Sequence, residues 1–211
     1  MERKKLSVNI KANGLRPRWV AHIDLLGASA LVKSKPWVKV FDVYARAVES
    51  LRRGGFARSR VRRFTFSDSF IIYTVDDTAY SYRAIDSFCR RFILSLIRFQ
   101  IPVRGAMAFG KLYADPRSYL YFGEALLDAY RVSESLDWIG FVLCDSAKNR
   151  LSEIGLPVDQ RLNYANWAVP VKGAKHTNSK TKQMSAYIIS SSPSRIHIEE
   201  ISCLLRTMQS R

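Results

Sequence analysis

The sequence predicts an α+β domain in which helices pack on one face of a mainly antiparallel sheet. The order of the elements, β-α-ββ-α-β-α-β followed by a hairpin, is typical of α+β sandwiches. A chain of 211 residues with 47% hydrophobic side chains is also long enough to bury one substantial core. One compact domain is therefore expected.

The first half of the chain predicts a strand, a helix and a hairpin. Apolar runs and an apolar period near 3.6 place these elements at residues 18–25, 34–51, 61–66 and 69–75. Gly27 follows the first strand, and Ser67 and Asp68 form a tight turn between the last two strands. Asp24 is therefore expected at the end of an apolar strand, and Asp68 at the tip of a hairpin.

The second half predicts alternating helices and strands. The clearest element is a helix at 79–99, because its apolar residues recur at i, i+3, i+4 and i+7. The later elements are a strand at 103–109 that ends at Gly110, a helix at 124–135, a strand at 139–144, a helix at 145–154, a hairpin at 169–189 and a terminal helix from about 198.

Three regions follow from this pattern: a basic N-terminal segment (1–17), one domain (18–190) and a C-terminal helical tail (191–211). The formal net charge of +16 attracts polyanions such as nucleic acids, anionic lipids or nucleotide polyphosphates, although basic runs often form only a solvated surface. No run approaches the roughly 18 apolar residues of a membrane span, and no secretory signal follows the N-terminal MERKK. A cytoplasmic location is therefore expected.

Two acidic residues suggest a metal site. A carboxylate within an apolar strand, such as Asp24, is costly to bury without a cation, and Asp68 at the hairpin tip could be its co-ligand. Carboxylate pairs suit Mg²⁺ or Mn²⁺, which also bind substrate phosphates. The alternative is that each aspartate simply caps a neighbouring turn.

Five segments, taken in order, resemble the motifs of class III nucleotidyl cyclases. They are WVAHIDLLGASALV, RRFTFSDSFIIYTV, PVRGAMAFGKLY, PRSYLYFGEALLDAYRVSES and VPVKGAK, and they extend over most of the chain, from about residue 18 to 190. The resemblance implies a ferredoxin-like cyclase catalytic domain. It also implies two divalent metal ions, Mg²⁺ or Mn²⁺, and a nucleoside triphosphate substrate.

The resemblance assigns roles to individual residues. The implied metal ligands are Asp24, Asp68 and the backbone carbonyl of Leu25. The implied phosphate-binding groups are Lys172 and the backbone of the turn formed by Gly27, Ala28 and Ser29. Arg131 matches the arginine that stabilises charge developing on the α-phosphate. Without the resemblance, the favoured interpretation is that Arg131 is a solvated helix arginine and Lys172 a hairpin lysine.

The chain departs from adenylyl cyclases at the positions that read the base. Arg62 and Leu120 replace the adenine-binding lysine and aspartate, and Leu127 replaces the asparagine that orients the ribose. This variant resembles the pyrimidine cyclases of bacterial Pycsar anti-phage systems, which make cyclic UMP or cyclic CMP. An arginine donor fork at Arg62 suits the acceptor oxygens of uracil. Tyr44 could stack on the base or could simply pack in the core.

The resemblance also implies a homodimer, with active sites between the protomers and no role for nucleic acid. In this family the metal aspartates come from one protomer, whereas the base-reading, arginine and lysine elements come from the other. Two alternatives remain. A nucleic-acid-binding α+β domain would explain the arginine-rich run at 52–63, although no RNP-type string is present. A degenerate cyclase that binds nucleotide without turnover would explain Leu127.

Overall fold

The computed structural model describes residues 14–27, 33, 36–53, 60–156, 158, 164–172 and 181–187. Within these ranges the chain forms eight strands and four helices. The strands are β1 (Leu15–Leu25), β2 (Val61–Phe66), β3 (Ser69–Thr74), β4 (Val103–Asp115), β5 (Leu120–Phe122), β6 (Gly140–Leu143), β7 (Tyr164–Pro170) and β8 (Thr181–Tyr187). The helices are α1 (Trp37–Arg53), α2 (Ala79–Arg98), α3 (Glu124–Ser135) and α4 (Asp145–Glu153).

The strands form one mainly antiparallel sheet in the order β2-β3-β1-β4-β6-β8-β7, and β5 pairs with β4 outside this path. The β4–β6 pair is parallel, whereas the other pairs are antiparallel. The segment β1-α1-β2-β3-α2-β4 with strand order β4-β1-β3-β2 is a ferredoxin-like unit. The predicted α+β fold class is confirmed.

The helices lie on both faces of the sheet, so the prediction that they cover one face is wrong. Trp19 and Ile23 of β1 pack in the main core, which also contains buried side chains of α1, α2 and α4. Val20 faces the opposite side, where it packs with Ala125 of α3. Because β1 is buried at every position from Trp19 to Leu25, its apolar run carries no alternation that would reveal a solvent face.

Two boundaries and one additional strand near the middle and end of the chain also differ from the prediction. Strand β4 continues through Gly110 to Asp115, because Gly110 has an extended backbone and the added residues pair with the start of β1. Strand β5 was not predicted, and it pairs with this extension. Strand β7 begins at Tyr164 instead of Val169. The predicted terminal helix lies outside the described residues.

Among the described residues, no helix is long and apolar enough to cross a membrane.

Candidate active site

A polar cavity of about 370 Å³ opens where β1 ends beside the β2–β3 hairpin. Charged side chains from five separate segments line it: Asp24, Asp68, Arg104, Glu134 and Lys172. The two candidate metal ligands, Asp24 and Asp68, therefore lie on one cavity, together with two cationic side chains that can bind anions.

Strand register positions Asp24 within this cavity. Asp24 lies opposite Ser69 of β3 and opposite Arg104 of β4. The Ser69 hydroxyl donates to Asp24 Oδ1 at 3.2 Å, and Arg104 Nη2 donates to Asp24 Oδ2 at 2.9 Å. Asp24 is only 8% exposed, so this guanidinium compensates a buried negative charge.

The hairpin turn positions Asp68 next to the end of β1. Ser67 adopts a left-handed conformation with φ 53°, which allows the tight reversal between β2 and β3. The backbone carbonyl of Asp68 then accepts a hydrogen bond from the Leu25 N–H at 3.2 Å. This bond fixes the hairpin tip against the strand that carries Asp24.

Arg104 and Glu134 are site residues that the sequence analysis missed. Arg104 is 5% exposed, and its Nη1 donates to the carbonyls of Glu134 and Leu136 at 3.3 and 3.2 Å. Its Nη2 also donates to Glu134 Oε1. A charged residue inside the apolar run PVRGAMAF was a signal for a buried ion pair, but its partners depend on the pairing of β4 with β1.

The carboxylates of the cavity repel one another. Burial raises the pKa of Asp24, the Arg104 guanidinium opposes this increase, and the charges of Asp68 and Glu134 add to it. Three carboxylates here face two cationic side chains, Arg104 and Lys172. A further cation bound at this cavity would relieve the repulsion.

The turn after β1 begins the predicted phosphate cradle. Leu26 N–H donates to the Pro102 carbonyl at 2.9 Å, which fixes the start of the turn. Gly27 is exposed and lines the cavity with φ 75°, a conformation that favours glycine. Ala28 and Ser29 lie outside the described residues.

Lys172 follows β7 and lies on the cavity that contains the aspartates of its own chain. Its backbone N–H donates to the Ser135 carbonyl at 2.7 Å, and Val171 bridges to Leu136. These contacts anchor the segment to the end of α3. The resemblance placed this lysine opposite the partner's aspartates, whereas within a single chain it is already next to Asp24 and Asp68.

Arg131 lies on the outward face of α3. Leu127, Tyr130, Arg131 and Glu134 recur at i, i+3, i+4 and i+7, and therefore share this face. Arg131 is exposed, and it does not line the polar cavity. Its neighbour Tyr130 does line that cavity, so Arg131 lies close to the site but points toward solvent.

A second cavity, of about 780 Å³, lies beside the first and is mainly apolar. Its walls include aromatic and aliphatic side chains from β2, from β5 and the residue before it, and from α3: Phe64, Phe66, Tyr119, Leu120, Leu127 and Tyr130. Leu120 is 37% exposed and Leu127 is 53% exposed. Two of the positions at which the chain departs from adenylyl cyclases therefore meet in one apolar groove.

Arg62 lies near this groove, on exposed strand β2. It is opposite Tyr73, and its Nη1 donates to the Val61 carbonyl at 3.3 Å. Alternation along the strand places Arg62 on the same face of the sheet as Phe64, which lines the groove.

Tyr44 lies on α1 and packs against the main core. Burial raises the pKa of Tyr44, and the negative charges of Asp68 and Asp24 raise it further. Tyr44 is therefore close to the polar cavity of its own chain and does not line the apolar groove.

His22 is a third residue that the sequence analysis missed. Its Nδ1 lies 2.6 Å from Ser133 Oγ, and the Ser133 hydroxyl donates to the Tyr130 carbonyl at 2.9 Å. Ser133 Oγ must then accept from His22 Nδ1–H, which fixes the tautomer. Burial lowers the pKa of His22 to about 4, so a neutral imidazole borders the groove and packs edge-on against Tyr130.

The sequence matches no family profile, and it matches no curated protein. Solved structures do match the fold. The adenylyl cyclase CyaB from P. aeruginosa has a TM-score of 0.58 and 10% identity, over 83% of this chain and 95% of CyaB. A bacterial light-regulated adenylyl cyclase has a TM-score of 0.59 and 11% identity, over 92% and 98% of the two chains.

The guanylyl cyclase Cya2 gives a similar result, with a TM-score of 0.58 and 11% identity over 85% of this chain and 96% of Cya2. These neighbours are class III nucleotidyl cyclases. The chain therefore has the fold of a class III cyclase catalytic domain.

Proposed function

We propose that this chain is a nucleotidyl cyclase that converts UTP, or alternatively CTP, to the 3′,5′-cyclic nucleotide and pyrophosphate. The observation that carries the proposal is that Asp24 and Asp68, from separate segments of a cyclase fold, line one polar cavity. Resemblance to the Pycsar enzymes supports a role for the product as a second messenger in bacterial anti-phage defence.

Asp24, Asp68 and the Leu25 carbonyl would hold two divalent ions, Mg²⁺ or Mn²⁺. The described residues contain no group of three His, Cys, Asp or Glu side chains that could hold an ion alone. A Mg²⁺ site completed by water and substrate phosphates needs only one or two carboxylates, so the residues fit. When bound, the ions lower the pKa of the ribose 3′-hydroxyl and neutralise the triphosphate.

The residues of this chain position those ligands and the phosphates. Arg104 Nη2 donates to Asp24 Oδ2, whereas Asp24 Oδ1 accepts from the hydroxyl of Ser69. Arg104 would thus act as a positioning residue that favours the ionised form of this carboxylate and fixes its orientation. Lys172 and the backbone amides of the turn at Gly27 would bind the triphosphate.

Arg131 would act from the opposite protomer of a homodimer. It is exposed on α3, next to an apolar groove whose rim includes Phe66 and Tyr119, which are 77% and 86% exposed. Apolar surface of this kind is characteristic of protein interfaces. A two-fold interface at this surface would bring Arg131 toward the partner's α-phosphate position.

Arg62 and Leu120 support pyrimidine selectivity. The lysine and aspartate that read adenine are absent from these positions, and the guanidinium of Arg62 can donate to the O2 or O4 acceptors of uracil. Both residues lie at or near the apolar groove. Tyr44 lies close to Asp24 and Asp68, not at the groove, and it would narrow the nucleotide pocket next to the proposed metal ions.

The test is to incubate the pure protein with Mn²⁺ and each of the four nucleoside triphosphates, and to identify products by mass spectrometry. We expect cyclic UMP with pyrophosphate, less cyclic CMP, and little product from ATP or GTP. A preparation that cyclises a purine best would contradict the pyrimidine assignment. No cyclic product from any triphosphate, with bound nucleotide detected, would indicate the degenerate cyclase instead.

A further inference from the structure

Helix α1 has a solvent-facing apolar stripe in addition to the side that it buries. Ala47 is fully buried, whereas Val38 and Phe41 are 80% and 75% exposed. Ala45 and Val48 continue the exposed side, and Val48 is 37% exposed. The four exposed positions, 38, 41, 45 and 48, fall within about 80° around a helix of 3.6 residues per turn, so they form a continuous stripe. We call these four residues the α1 stripe.

The α1 stripe has the character of a docking surface. Most solvent-facing helix sides are polar, and contiguous exposed apolar side chains mark sites of interaction. The middle of the stripe lies about 140° around the helix from the buried Ala47. The described part of the domain core therefore does not cover it, and an occupant would come from outside that core.

The C-terminal tail repeats the spacing of the stripe. Strand β8 ends at Tyr187, and 24 residues of the 211 follow it (211 − 187). Within them, Ile198, Ile201, Leu205 and Met208 recur at intervals of three, four and three, as the stripe residues do. This pattern predicts an amphipathic helix with one narrow apolar side.

The tail begins on the correct face of the sheet and is long enough to reach α1. Tyr187 packs against the main core, and its ring centroid lies 5.8 Å from the guanidinium carbon of Arg90 on α2. The guanidinium carbon of Arg46 on α1 lies 5.6 Å from the ring centroid of Phe99, the residue that follows α2. Phe99 is nine residues beyond Arg90 and therefore about 14 Å farther along the helix axis. The segment 188–197 can span up to about 33 Å.

We propose that the C-terminal tail of this chain docks as a helix on the α1 stripe. The apolar side of the tail helix would cover Val38 and Phe41. Packed helices commonly contact each other through apolar residues that recur at intervals of three and four, which is the spacing of both segments. The tail is favoured over a second copy of the chain because its tether holds it at an effective concentration in the millimolar range. Because α1 also carries Tyr44, docking would stabilise the helix beside the polar cavity.

Hydrogen exchange of the full chain, followed by mass spectrometry, tests this interface from both sides. Leu205→Asp should increase the exchange rate of amides in 38–48 by about tenfold or more, because a charge cannot be buried on the stripe. Phe41→Asp should reciprocally increase exchange in 198–208. The matched control is Thr207→Asp, which lies on the opposite side of the predicted tail helix and should change neither segment.

Exchange in α2 reports whether each variant remains folded. If α2 stays protected and neither Leu205→Asp nor Phe41→Asp changes the other segment, the tail does not occupy the stripe and the proposal is overturned. If the protection of amides 38–48 rises with protein concentration and is unchanged by Leu205→Asp, a second copy of the chain occupies the stripe. This result would also overturn the proposal. If the Leu205→Asp protein loses protection in α2, it is not folded, and the exchange of 198–208 in the Phe41→Asp protein then decides whether the tail occupies the stripe.

Discussion

Asp24 shows how single residues prepare this site. A buried carboxylate is costly, and here Arg104 and Ser69 contact its two oxygens at 2.9 and 3.2 Å. The sequence singled out Asp24 and Asp68, because an acidic residue stands out in an apolar strand and at a hairpin tip, and both line one cavity, although their role as metal ligands stays a prediction. It was insufficient for Arg104, because that contact depends on which residues of β1 and β4 lie opposite each other.

Asp68→Asn should reduce turnover by about 100-fold or more, because it removes one charged ligand from the proposed metal site. Affinity for Mn²⁺, measured by calorimetry without nucleotide, should fall as well. Stability should be nearly unchanged, because Asp68 is half-buried and the substitution relieves repulsion with Asp24.

Asp42→Asn is the matched control, since Asp42 is an exposed aspartate of α1 that pairs with Arg46. It should leave turnover and Mn²⁺ affinity unchanged. Near-normal turnover of the Asp68→Asn protein would show that Asp68 is not a metal ligand.

Asp76 should contribute a pH-dependent part of the stability. Burial alone would raise its pKa, but hydrogen bonds from Ser81 and Thr78 and the nearby Arg60 guanidinium hold the pKa of Asp76 below its usual value. The unfolded chain therefore binds the proton first as the pH falls. This stabilisation is present above the unfolded pKa of about 3.9 and is lost as the pH falls through the folded value.

Asp76→Asn should lower the free energy of unfolding at pH 7 by about 1 kcal/mol, because the amide keeps an acceptor oxygen for Ser81 and Thr78 but loses the charge that strengthens these hydrogen bonds and pairs with Arg60. The difference from the original chain should shrink toward pH 3. Urea denaturation across this range measures it, with the exposed Asp137→Asn as control. A difference that stays constant with pH would show that the charge of Asp76 is not responsible.

The predictions for whole elements succeeded where local signals are strong. The hairpin of β2 and β3 and the helix α3 lie within one residue of their predicted bounds, because β-branched runs, a turn and amphipathic spacing act locally. Strand β5 has three residues and depends on pairing with β4, so its sequence carries little signal. The position of α3 on the opposite face depends on tertiary packing, and no local pattern specifies it.

Gly123→Ala should displace the start of α3 and reduce both stability and turnover. Gly123 precedes α3 at φ 155°, and an added Cβ would lie 2.2 Å from the Lys111 carbonyl oxygen. Because β4 is hydrogen-bonded to β1 and β6, its backbone cannot move away from the added Cβ. The start of α3, and with it Arg131, must therefore shift. We expect the melting temperature, measured by circular dichroism, to fall by more than the strain of a positive φ alone would cause.

Gly155→Ala is the matched control. Gly155 also has a positive φ, 68°, but an added Cβ meets nothing within 4 Å. It should cost only about 1 to 2 kcal/mol of backbone strain and leave turnover unchanged. Equal effects of the two substitutions would show that contact between the start of α3 and β4 is unimportant.

The whole molecule presents a polar cavity and an apolar groove side by side, and Tyr130 lines both. This arrangement suits an active site that two protomers complete. The aspartates would come from one protomer and Arg131 from the other, in an isologous interface with two equivalent sites. Lys172 already lies beside the aspartates of its own chain, so complementation is best tested with Arg131.

The most direct measurement is a subunit-exchange assay with Asp68→Ala and Arg131→Ala proteins, each nearly inactive alone. After mixing in equal amounts, about half of the dimers are mixed, and each of these has one site with both substitutions and one with neither. The account predicts recovery to roughly a quarter of the original activity. No recovery despite demonstrated exchange would mean that Asp68 and Arg131 act within one chain, and it would contradict the shared active site.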